Sequence, residues 1–239
     1  VNEMNEMDQR AYDELQIWER KLMKRPGMMK RWAKDTQTKM NSYVPQKVHD
    51  AITKAMKGMF EGTMAGSYRT TRKFPEATLL SQAEQLAKER LAVYRKTASI
   101  EGAGTGAGGI LLGLADFPLL LGIKMKWLHE CAAIYGYDTK RAEEKQFLLL
   151  VFQLAFSSEE HREKTWQRIR AFTKGREPLD WHTLQQEYRD TIDLAKMGQM
   201  LPVVGAAVGA VVNYQLLDRL GEYAQYAFRA RWFAENNGK

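Results

Sequence analysis

The 239-residue chain has one cysteine, Cys131, and four histidines. A lone thiol excludes an internal disulfide and fits a reducing compartment. With so few soft ligands, neither a metal nor a cofactor is expected, although carboxylate-rich sites stay open. Long apolar runs are scarce as well. Mean hydropathy is −0.49 and 44% of residues are hydrophobic, which describes a soluble globular protein rather than a polytopic membrane protein. The opening VNEMNEMDQRAYDEL is acidic and holds no apolar h-region, so no secretory signal is expected. Val1 reads as a start codon other than AUG translated literally. Strand patterning is missing too, and the expected fold is all-α: one compact helical domain. Residues 1–43 are expected to form an N-terminal amphipathic and basic segment, and 44–239 the main helical domain.

Charge is present but unevenly placed. Residues 1–19 carry six acids against one base, Arg10, whereas residues 20–57 carry eleven Lys/Arg against two acids, Asp35 and Asp50. Such a block implies an anionic partner, or else a solvated basic face with none. Met28 to Met40 reads as a short basic helix, with Met28, Met29 and Trp32 apolar beside Lys30, Arg31 and Lys34. That pattern suits a helix lying in a lipid interface. The same pattern more often belongs to a helix packed on a core under snorkelling lysines.

Helical periodicity accounts for most of the remainder. Met4, Met7, Ala11, Leu15, Trp18 and Leu22 form one stripe, closed by Pro26-Gly27. Val44-Pro45 is an extended connector. A helix follows through Val48, Ile52, Met56, Met59 and Phe60, and residues 61–73 read as loop. Pro75 suits the first turn of a long helix with Leu79, Ala83, Leu86, Arg90 and Tyr94 on one side. FLLLVFQLAF (147–156) reads as a fully buried helix. Ser157 and Glu160 have capping-box spacing for the next, which buries Trp166, Ile169 and Phe172. Asp180 or Thr183 caps a helix through Ile192, Pro202 interrupts the chain, and a final helix runs to about Phe233.

Two glycine-rich stretches organise the chain. Gly102–Ile123 holds seven glycines and one charged residue, Asp116; Met197–Leu217 holds no charge. Shifted by 97 positions they align without gaps, Asp116 on Asn213, Phe117 on Tyr214 and Leu120 on Leu217. They are expected to form a pseudo-repeat. Asp116-Phe117-Pro118 is expected to break the first stretch into two helices, with Asp116 as N-cap and Gly136 as the final C-cap. Small residues four apart (Gly104/Gly108, Gly109/Gly113, Gly205/Gly209) permit close helix packing, in a soluble core or in lipid. Asp116, Pro118 and the glycines argue against a stable span.

Motifs for chemistry are thin. Gly104 to Gly109 matches G-x-G-x-x-G, yet KTASIEGA before it is no hydrophobic strand and no Lys-Ser/Thr follows, so a nucleotide site is not expected. His129, Glu130 and Cys131 are neighbours on a helix and point about 100° apart. Cys131 is expected on a packed face, and His161 and His182 near helix starts. Asp116 and His129 are the catalytic candidates. Asp116 is equally well explained as a cap.

The run GAGTGAGGILLGLADFPLLLGIKMKWLHECAAIYGYD, followed by LPVVGAAVGAVVNYQLLDRLGEYAQYAFRARWF, resembles the EcsC family of bacterial proteins. Trp18-Glu19 and Val44-Pro45 are also similar, and the resemblance spans about Glu14 to Phe233. The family is named for an operon shared with the ATPase and membrane subunits of an ABC exporter. It has no agreed catalytic residues, so the resemblance carries over no functional position; it implies a partner at the cytoplasmic membrane face. The leading expectation is a peripheral membrane accessory protein that meets anionic lipid through Arg20, Lys21, Lys24, Arg25, Lys30, Arg31, Trp32 and Lys34, beside ABC transporter subunits. The alternative is a hydrolase of lipid or peptide with Asp116 in its cleft. Nucleic acid is not expected as a partner, and oligomeric state is not legible.

Overall fold

A computed structural model describes residues 6–23, 46–69, 72–74, 79–106, 109–157, 159–173 and 205–236. Among these residues there are seven helices and no strand: α1 (Glu6–Met23), α2 (Gln46–Ala65), α3 (Leu80–Gly106), α4 (Gly109–Ile134), α5 (Ala142–Phe156), α6 (Glu159–Thr173) and α7 (Gly205–Asn236). The fold is all-α, as the periodicity predicts. The basic helix over 28–40, the Val44-Pro45 connector, Pro75, the helix over 180–192 and Pro202 lie outside the described residues.

The axis of the molecule is the antiparallel pair α3 and α7. Glu84 bonds Arg229 near one end and Arg95 bonds Asp218 midway. Near the other end the Ser99 hydroxyl donates to the Ala210 carbonyl at 3.4 Å. Gly221 lets the two backbones approach, because a Cβ there would overlap the Leu91 side chain. α4 runs back along α3, with Arg90 Nε donating to Glu130 at 2.9 Å. α5 touches α2, α4, α6 and α7. A helix enclosed on that many sides must be apolar all round, and Phe147 to Phe156 is buried without exception. α1 turns Leu15 and Trp18 inward and docks on α3, α6 and α7.

Two turns follow from glycine. Gly66 (φ +82°) and Gly136 (φ +84°) are left-handed, a conformation that costs glycine nothing. At each, two backbone bonds close the helix: Ser67 N–H to Gly62 and Gly66 N–H to Thr63, then Tyr137 N–H to Ala132 and Gly136 N–H to Ala133. This double closure satisfies carbonyls that a helix end would orphan.

The structure corrects three local readings. Asp116-Phe117-Pro118 does not break the chain: α4 continues from Gly109 to Ile134 with Pro118 inside it. Proline removes one donor and crowds the preceding turn, but Pro118 lies on the exposed side while Phe117, Leu120 and Leu121 are buried around it. A break there would withdraw three core side chains. α2 runs to Ala65, beyond the expected loop start at 61, because its closing glycine is Gly66. On α3 the expected Ala83 and Tyr94 face inward together with the neighbouring Leu80, Ala87, Leu91 and Ala98, whereas Leu79 is exposed; α4 and α7 flank this helix and select that side. At the junction of α5 and α6 the Ser157 hydroxyl also donates back to the Gln153 carbonyl at 2.6 Å.

Candidate functional site

The residues singled out from sequence do not converge. Arg20 and Lys21 are exposed in the last turn of α1, where cations favour the negative helix end. Lys24, Arg25, Lys30, Arg31, Trp32, Lys34 and Gly108 lie outside the described residues. Gly104 belongs to the last turn of α3, Gly109 and Gly113 to the start of α4, and Gly205 and Gly209 to the start of α7. Asp116 is described as helical backbone only. His129 follows thirteen residues later on the same unbroken helix, about 20 Å along its axis, so the two catalytic candidates stand apart.

His129 is fully buried. Neither ring nitrogen has a hydrogen-bond partner among the described residues. Its ring lies 6.5 Å from that of Tyr68, which sits against Gly62 and Gly122. Burial, helped by the Lys145 charge, lowers its pKa to about 4, so the imidazole is neutral at pH 7. Lys145 donates to the Met64 carbonyl at 2.8 Å and thereby closes the end of α2. Glu130 turns to Arg90 and Cys131 faces the core, where burial pushes its thiol well up. The three neighbours point apart, as helical geometry requires. A thiol in that state is unreactive.

Sequence reasoning missed Lys124. It is completely buried. Its spacing shows why: Phe117, Leu121, Leu128, Cys131 and Tyr135 share its side of α4, and all are buried. The amine reaches the Leu120 carbonyl only at 3.5 Å, and burial lowers its pKa to about 7. No group of three His, Cys, Asp or Glu able to hold a metal occurs among the described residues.

The buried charges that are paired lie toward one end of the bundle. Arg229 bonds both oxygens of Glu84 and also Glu14 at 2.7 Å. Arg231 forks onto Glu144 at 2.6 and 2.7 Å and onto Glu235 at 2.8 Å, its guanidinium 3.7 Å from the Tyr137 ring centre. Burial would lower both guanidinium pKa values, but these carboxylates hold them above the ordinary arginine value. Beside this network Trp18 stacks on Tyr226 and donates to Glu222 at 3.1 Å, while Trp166 donates to Glu19 at 2.8 Å. The indoles thus tie α1 to α6 and α7.

The opposite end has a different composition. There the C-terminal half of α3 meets the N-terminal halves of α4 and α7, as the Arg90–Glu130 and Ser99–Ala210 contacts require. Among the described residues, four of the eight exposed large hydrophobic ones lie on these helix halves, Ile100, Leu119, Val211 and Tyr214, and Val93 stands at the midpoint of α3. Ile100 is 71% exposed and Val211 55%, values that no core role explains. Asn213, in the same region, is buried with neither amide atom bonded among the described residues. Positions matched by the 97-residue shift differ in surroundings: Phe117 is buried where Tyr214 is exposed, and Leu119 is exposed where Leu216 is buried. Both glycine-rich helices lie mainly against α3 rather than against each other.

Fold and site together define an all-α protein with one long antiparallel helix pair, charge-paired at one end and glycine-rich with exposed aliphatic residues at the other. The chain belongs to the EcsC protein family, which it matches over residues 9–233. It is 48% identical over 223 residues to Protein EcsC of Bacillus subtilis (strain 168), covering 93% of this chain and 94% of that one. It is also 29% identical over 176 residues to the Uncharacterized protein YdbA of the same strain, covering 71% of this chain and 63% of that one. No solved structure matches the chain.

Proposed function

We propose that this chain is an accessory protein at the anionic inner face of the cell membrane, working beside an ABC transporter rather than catalysing a reaction. The observation that carries the reading is the basic block, eleven Lys/Arg against two acids over residues 20–57. Each base held near an anionic leaflet contributes about 1 kcal/mol, and several acting together give useful affinity. Arg20 and Lys21, at the start of the block, are exposed. No helix among the described residues is long and apolar enough to cross a membrane, and the proposed contact is a surface one. The transporter as neighbour rests on the operon for which the family is named.

Co-sedimentation with vesicles over a salt series tests the electrostatic part. Binding to phosphatidylglycerol-containing vesicles should exceed binding to pure phosphatidylcholine and should fall as salt shortens the Debye length. Equal recovery with both vesicle types, or no binding to either, rejects the proposal.

A further inference from the structure

We infer that the glycine-rich end of the bundle, where Ile100, Leu119 and Val211 stand exposed on three converging helices, is the surface that seats into the lipid interface. This rests on the membrane-surface reading above and adds which face of the molecule meets the bilayer. The segments follow an order along the bundle axis. Outermost come the glycine-rich starts of α4 and α7 and the last turns of α3, which include Glu101. Behind them lie the exposed aliphatic residues. One or two turns further back stand cations on the same faces. Lys96 is exposed between Val93 and Ile100 at three- and four-residue spacing, and Lys126 is exposed seven residues beyond Leu119, spacings that share one side of a helix. On α7 the exposed Tyr214 carries the Arg95 guanidinium 5.3 Å from its ring centre. Aliphatic tips, then tyrosine and long cations, is the order of a bilayer read from hydrocarbon to phosphate, and the stems of Lys and Arg let their charges reach back to the headgroups.

A lipid surface fits this arrangement better than a protein partner. The aliphatic residues occupy the outward sides of three separate helices with the exposed Lys96 and Lys126 beside them, an arrangement that an anionic, non-directional surface accepts without matched hydrogen bonds. Contact is shallow. Glu101 and Asp116 stand in this region of the sequence, and a carboxylate is costly in hydrocarbon.

The experiment places an environment-sensitive fluorophore at Ile100→Cys, at Val211→Cys and, on the far side of α4, at Lys140→Cys, each in a Cys131→Ala background. Phosphatidylglycerol-containing vesicles should shift the first two emissions to the blue and leave the third unchanged. The unlabelled Ile100→Ser/Val211→Ser variant, altered only at exposed positions and checked for helicity by circular dichroism, should bind these vesicles roughly ten- to a hundredfold more weakly. If the wild type binds while the first two labels stay unshifted and the double variant binds equally well, the orientation is overturned and the surface reading stands. If the wild type binds no vesicle, both fall. A wild-type dimer that the double variant converts to monomer assigns the patch to a second copy of the chain and also overturns the inference.

Discussion

Lys124 shows how much one buried amine can weigh. Among the described residues its Nζ has a single distant carbonyl for company, so the charged form is poorly solvated and its pKa drops to about 7, from 10.5 in the unfolded chain. Between those values the unfolded state binds more protons than the folded one, so stability rises with pH across the window. At and below pH 7 the cost is essentially full. Lys124→Met keeps the length and removes the charge. It should stabilise the fold by roughly 2–4 kcal/mol at pH 6, with the gain shrinking toward pH 10. Urea unfolding of both proteins at several pH values measures this. A loss of stability in the variant at every pH would mean that the amine holds a contact worth more than its burial costs. His129 follows the same logic at lower pH: its folded pKa of about 4 lies below that of an unfolded histidine, so its burial disfavours the fold progressively as acid is added below pH 6.5.

At the scale of the helix, close approach decides the pairing of α3 and α7. Gly221 lies against Leu91, itself buried, so an added methyl must displace a core side chain. Gly221→Ala should cost about 1–3 kcal/mol, and in a Leu91→Ala background the same change should be nearly neutral. A double-mutant cycle by thermal unfolding reads the coupling; additive effects would show that the helices part without strain. This contact was not legible beforehand, because nothing in LDRLGEYA marks its glycine as a packing point. The buried faces of α2 and α5 were, since Ile52, Met56, Met59 and Phe60 recur at helical steps and FLLLVFQLAF has no polar side to expose. α3 shows where periodicity stops informing. Its stripe is wide enough to place Leu79 or Leu80 inward, and only two flanking helices choose between them. Pro118 misled for a related reason, because local rules for proline ignore the three core side chains that keep its helix continuous.

Across the whole molecule, charge pairing holds the N-terminal helix to the core. Arg229 joins Glu84 of α3 to Glu14 of α1, and its side chain is only 5% exposed. Arg229→Met leaves the buried Glu84 carboxylate without its cation, with the Gln225 amide still donating to it, and should cost roughly 3–5 kcal/mol in chemical denaturation. Glu14→Gln should cost under about 1 kcal/mol, since that carboxylate is 58% exposed and water substitutes for its partner. Comparable losses for the two variants would mean that the Glu84 pair carries no special weight. The sequence offered no sign of this network: Glu14, Glu84 and Arg229 are far apart along the chain and each looks like an ordinary surface charge. The glycine-rich end, by contrast, stood out in composition before any coordinates, although which of its aliphatic residues face outward did not.

The position of α7 in chain order has a consequence for synthesis. α7 contacts α1, α3, α4, α5 and α6, yet it leaves the ribosome after all of them. Until it arrives, the sides of α3 and α5 that α7 covers stay open, and the ionic clasp on α1 lacks its arginine. Contacts of such long sequence separation form late and slowly, and exposed apolar surface in the interval invites aggregation. The nascent chain is therefore a natural client for chaperones, and its productive folding waits on its last long helix.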